Sequence, residues 1–122
     1  MAYASAVALT VKEITRAGMS ASEYRVVPTA THGNKIADNG RTFVRVVNGS
    51  AAPITVTLNA NKVIDGLTVP NATVSVAATG DGDGLDDVLI GPFTPTFHQA
   101  DGAFVWLTFS AVTDVLVGAF RI

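Results

Sequence analysis

A chain of 122 residues accommodates one domain whose core hides about two thirds of the unfolded chain's surface, and leaves no room for a second. Without cysteine there is no disulfide framework, thiolate metal site or cysteine nucleophile. The net charge of −2 gives no electrostatic footprint for nucleic acid, and the opening MAYASAVALTV lacks a basic segment and is too short to span a bilayer, so we expect a soluble, non-secreted protein with neither nucleic acid nor membrane as partner.

In chain order, Val7, Leu9 and Val11 alternate with Ala8, Thr10 and Lys12, which predicts a first strand reaching about Arg16 and ended by Ala17-Gly18. Residues 1–6 are expected to be an extended or loop segment. So are residues 19–40, polar and irregular around Pro28, Gly33 and Gly40, with a short strand at Tyr24–Val27. Arg41–Val47 and Ile54–Leu58 flank a turn that opens with Asn48-Gly49, a β-hairpin signal. Ile54, Val56 and Leu58 form one apolar face, so this hairpin is the expected fold nucleus.

Lys62–Val69 reads as a short strand broken at Asp65-Gly66, with a turn at Pro70-Asn71. In ATVSVAA, Val74 and Val76 share a face, and TGDGDGLDD must be a turn because VLIGPF after it is apolar again. TPTFHQADG is a further loop. Phe104–Phe109, FVWLTF, is apolar on both sides, as in a strand that is central between two layers or covered by a partner. Asp114–Ile122 alternates once more. The sum is about seven to nine short strands without a convincing long helix, an all-β single domain over 1–122 of β-sandwich or jelly-roll-like type.

One cluster has a chemical pattern. Aligned on Gly84, Thr79–Asp87 reads Thr-x-Asp-x-Asp-Gly-x-x-Asp, which puts Asp81, Asp83 and Asp87 at the third, fifth and ninth positions of an EF-hand-type calcium loop. Thr79 replaces the first aspartate and Ile90 the bidentate glutamate, so a solvated acidic turn is the better reading and no cofactor is expected. His32 and His98 fall in loops and read as surface or interface histidines. A His98–Asp101 pair can be drawn, but no serine sits in a nucleophile-elbow sequence, so no enzyme is expected. Trp106, Phe104, Phe93 and Phe97 could form a platform for a sugar or base. Regular alternation favours core packing, with Phe97, between Pro95 and His98, as the exception.

Charge is divided unevenly. Residues 1–62 hold seven basic and three acidic side chains, whereas residues 63–122 hold Arg121 against seven aspartates. Either strands of both halves interleave and mix these charges, or subunits present complementary patches.

Three segments, GNKIADNGRTFVRVVNGSAAPITVTL, VLIGPF and QADGAFVWLTFSAVTDVLVGAFRI, together resemble the small head decoration, or cement, proteins of tailed bacteriophages. Family members carry a plain turn where this chain has GDGDGLDD. The resemblance implies a virion protein made in the host cytoplasm and bound, as a homotrimer, to the outer surface of the major capsid protein lattice. Capsid or subunit contacts are then expected from Ala2, Tyr3, Ala4, Ser5, Tyr24, Phe97 and Trp106. Other virion roles (head-tail connector, tail or host-binding fibre module) and a carbohydrate-binding β-sandwich stand as alternatives.

Overall fold

The structure is a computed structural model that describes residues 3–20, 25–60, 62–99 and 102–122. Within these, eleven strands form: β1 (Val7–Ala8), β2 (Val11–Glu13), β3 (Asn34–Ala37), β4 (Thr42–Asn48), β5 (Ile54–Asn59), β6 (Val63–Ile64), β7 (Leu67–Thr68), β8 (Ala72–Val76), β9 (Asp87–Ile90), β10 (Phe104–Phe109) and β11 (Val115–Arg121). Two short 3-10 turns, Tyr3–Ser5 and Pro95–Phe97, are the helical elements among the described residues. No helix there is long and apolar enough to cross a membrane.

Nine strands build two sheets, ordered β1-β3-β10-β5-β8 and β2-β11-β4-β9, while β6 and β7 pair only with each other. From β2 to β5 and again from β8 to β11 the chain alternates between sheets, which is the connectivity of a jelly roll. One departure is that β2 runs parallel to β11. Val26 pairs antiparallel with Val117, so the short strand expected before Pro28 exists as a single bridge. Tyr24 lies outside the described residues.

Period-two alternation fills the space between the sheets. Val44 and Val46 of β4, Val56 of β5, Val76 of β8, Val105 and Leu107 of β10, and Val115 and Val117 of β11 are all fully buried. Burying such side chains contributes roughly 1.5–3 kcal/mol each before conformational entropy is subtracted. The expected inward face Ile54, Val56 and Leu58 is in place. β10 is central in its sheet, with Val105 and Leu107 in the core, as its two-sided apolar sequence requires.

Several expectations are corrected. β4 and β5 do not form a hairpin: β4 pairs with β11 and β9, and β5 with β10 and β8, so residues 49–53 cross from one sheet to the other. The first strand divides into β1 and β2, which join different sheets. Residues 34–37, expected as loop, are β3, held between β1 and β10. The buried Asn34 fixes that junction: its Nδ2 donates to Val7 O and Thr29 Oγ1, and its Oδ1 accepts from Thr29 N. Lys62–Val69 is a hairpin turning at Asp65-Gly66 rather than one interrupted strand.

Because strands from the two halves of the chain are mixed in both sheets, the opposite charges meet within one molecule. Arg45 pairs with Asp87 and Glu13 with Arg121.

Candidate functional site

The outer face of the β2-β11-β4-β9 sheet carries the side chains that alternate with the core. On β4 these are Phe43, Arg45 and Val47, on β11 Leu116, Gly118 and Phe120, and on β9 Asp87 and Leu89. A solvent-facing sheet surface ordinarily carries polar side chains. This one is substantially apolar: Leu89 is 68 % exposed, Ile122 71 % and Ile14 40 %.

Phe43 stacks on Phe120 with ring centroids 5.8 Å apart. Gly118 lies beside this stack, where a Cβ would stand 3.2 Å from the Phe120 ring. Two depressions, of ≈ 570 and ≈ 590 Å³, lie side by side and share Phe43 and Leu89. Arg41, Pro92 and Ile122 line the first, and Ile14, Met19 and Phe120 the second.

A bidentate ion pair crosses this surface. Arg45 Nε donates to Asp87 Oδ1 at 2.9 Å and Nη2 to Oδ2 at 2.5 Å. The Arg45 hydrogen bond is the main cause holding the Asp87 carboxyl below its ordinary value, against an opposing push from burial and with added help from the charges of Arg45 and Arg25. Asp87 in turn raises Arg45. A depressed carboxylate stabilises the fold above its unfolded-state pKa and loses that contribution as pH falls through the folded value. Both partners are partly solvated, with 21 % and 39 % of their side chains exposed, so screening keeps the effect small. Asp87→Asn is therefore expected to destabilise by at most ~1 kcal/mol at neutral pH, a difference that fades only at pH below the ordinary carboxylate value of 3.8, as the pH falls through the depressed value of folded Asp87. Urea melts at the two pH values check this.

The sequence-marked residues are dispersed. Asp81 Oδ2 accepts from Leu85 N, Asp86 Oδ2 accepts from Gly80 N, and Asp87 is engaged by Arg45. Among the described residues no group of three or more His, Cys, Asp or Glu is placed to hold a metal ion, so Asp81, Asp83 and Asp87 do not converge into the calcium loop their spacing suggested. The reason is local. The chain from Gly84 to Asp87 turns into β9, which aims Asp87 across the sheet at β4.

His98 pairs with Asp38 at 2.7 Å, and the His98–Asp101 pair drawn from the sequence falls on Asp101, outside the described residues. Ala2 and Tyr24 also lie outside them. Tyr3, Ala4 and Ser5 form a 3-10 turn, not an extended tail, and the Tyr3 ring packs edge-on against Trp106 at 5.7 Å. Lys35 Nζ sits 5.3 Å from the Tyr3 ring centre and 5.4 Å from that of Phe104. Trp106 is itself only 8 % exposed, and its Nε1 donates to His32 O. It is thus covered by this chain's own N-terminal segment, and strand β10 has neighbours on both edges. Phe97 packs half-buried against the core and Phe93 is buried, so no aromatic platform forms there.

Phe43, Leu89, Phe120 and Ile122 were not singled out from the sequence. The signal was apolar residues recurring on the phase of β4, β9 and β11 opposite to the core. Comparison with protein-family models, with curated proteins and with solved structures returns no match for this chain.

Proposed function

We propose that this chain is a head decoration, or cement, protein of a tailed bacteriophage, self-associated as a homotrimer on the outer surface of the major capsid protein lattice. The observation that carries the reading is the apolar outer face around Phe43, Leu89 and Phe120, a broad contact surface with an ion pair in its middle. Such a face suits protein docking better than turnover of a small substrate. The three sequence segments named above support the same reading. A decoration protein works by many modest contacts multiplied by lattice valency, which stabilises the shell without any catalytic group.

Placement on the capsid is assigned to the half of the face lined by Ile14 and Met19. Ile14→Asp is expected to lower occupancy on heads lacking the protein by ~10-fold or more, with the melting curve of the free protein unchanged because the Ile14 side chain is exposed. Quantitative gel analysis of repurified heads measures it. Wild-type protein should bind in many copies per head and protect heads against heat. A few copies per particle would instead indicate a connector, tail or fibre component, and no binding to heads together with glycan-array binding would replace the reading by a carbohydrate-binding module.

A further inference from the structure

The β6–β7 hairpin stands apart from the sandwich. Its strands pair only with each other, and Val63, Ile64 and Leu67 are 66 %, 51 % and 74 % exposed. An isolated two-stranded hairpin is marginal in water. This one is held at its base: Val69 N donates to Lys62 O, Lys62 Nζ to Pro95 O, and Ala60 N to Asn71 Oδ1. The turn at Asp65-Gly66, with φ of +51° and +77°, lifts an apolar tip into solvent on a fixed base.

The same end of the molecule carries a matching depression. Asn59 at the end of β5 is in register with Trp106, and Ala37 at the end of β3 with Phe104, so the arm, the β3–β4 turn and the start of β4 share one end of the sandwich. There, outside the other sheet, Phe43, Leu89, Pro92 and Ile122 line the ≈ 570 Å³ depression with Arg41 among them. The arm carries Asp65 at its turn, so tip and depression are apolar with opposite charges. The arm grows from the five-stranded sheet and the depression lies on the four-stranded one. A contact joining them between copies is therefore heterologous, the kind that closes a ring when the rotation permits.

We propose that the apolar tip of the β6–β7 hairpin inserts into the Phe43–Leu89–Ile122 depression of a second copy of this chain, with Asp65 against Arg41. The inference rests on the self-association in the reading above and not on the capsid. Each copy both gives an arm and receives one, and a closed trimer is the smallest ring of this kind without two-fold symmetry.

Sedimentation equilibrium of the full chain tests it. Wild type is expected to associate. Leu67→Asp on the arm and Leu89→Asp in the depression are each expected to weaken association by ~10-fold or more. Both side chains are exposed, so circular dichroism and melting should be unchanged. Mixing the two variants is the decisive arm: Leu89→Asp still has an intact tip and Leu67→Asp an intact depression, so the mixture should form heterodimers and no larger species. Restored association on combining Asp65→Arg with Arg41→Asp adds the charge contact. A monomeric wild type, association insensitive to Leu67→Asp, or a mixture that stays monomeric would each overturn the proposal. Head binding by a monomeric protein would do so while leaving the capsid reading intact, and a ring that ignores heads would do the reverse.

Discussion

Gly33→Ala is expected to destabilise this protein by about 4 kcal/mol or more, a large fraction of the roughly 5–15 kcal/mol typical of a domain. Two costs add. Gly33 has φ +68°, a conformation that an L-residue adopts at roughly 1–2 kcal/mol. More seriously, an added Cβ would stand 2.0 Å from Leu107 O and 3.0 Å from Leu107 C and Thr108 Cα. All three are backbone atoms of the central strand β10, so no rotamer change relieves the clash. The close approach is required because β3 begins at the next residue, with Asn34 opposite Leu107, while Gly33 O accepts the Val7 N–H that docks β1. Gly40 is the control. It has φ +86° and nothing within 4 Å of its Cβ position, so Gly40→Ala should cost only the conformational part. Equal losses in urea melts of the two variants would refute the close-approach explanation.

Asn48→Ala is expected to cost about 3 kcal/mol, far more than a turn asparagine ordinarily contributes. Asn48 is 1 % exposed and its side chain makes four hydrogen bonds. Nδ2 donates to Ala52 O at 2.9 Å and Ala77 O at 3.0 Å, while Oδ1 accepts from Ser50 N at 2.9 Å and Ser50 Oγ at 2.6 Å. These join the crossover from β4 to β5 with the chain leaving β8. Truncation leaves the Ala77 carbonyl and the Ser50 amide without these partners, each costing about 1–3 kcal/mol where water cannot replace the lost bond, while Ala52 O keeps the Ser50 Oγ–H. Asn39→Ala, removing an exposed acceptor for Arg41 N and Thr42 Oγ1, should cost less than about 1 kcal/mol. Faster exchange of the Ser50 and Thr79 amides in Asn48→Ala would show the crossover loosening, since Thr79 N donates to Ser50 O. A loss no greater than that of Asn39→Ala would contradict this role.

Asn48 also marks where sequence reading stops. Asn-Gly between two extended runs is a hairpin signal because it reports local backbone preference. Here the same dipeptide opens a crossover, and the asparagine turns inward to satisfy backbone groups 4 and 29 residues away. The candidate site was hidden for a related reason. Alternation shows that Phe43, Arg45 and Val47 share one side of β4, but the identity of the covered side depends on which strands pack over Val44 and Val46. Trp106 is the converse case. Its strand was legible as two-sided and apolar, yet the cover on its outer side is Tyr3, more than a hundred residues earlier in the chain.

The sequence by itself determined that the chain is all-β, where most strands lie, that Ile54, Val56 and Leu58 face inward, and that Phe104–Phe109 is apolar on both sides. Those properties follow from the two-residue repeat of an extended backbone, which is local and covalent. Only the tertiary structure decided that β4 and β5 belong to different sheets, that Tyr3 closes over Trp106, and that an apolar face and an apolar arm are left uncovered. Strand pairing and coverage depend on the free energy of contacts between distant segments, and a local repeat carries no information about which distant segment supplies them.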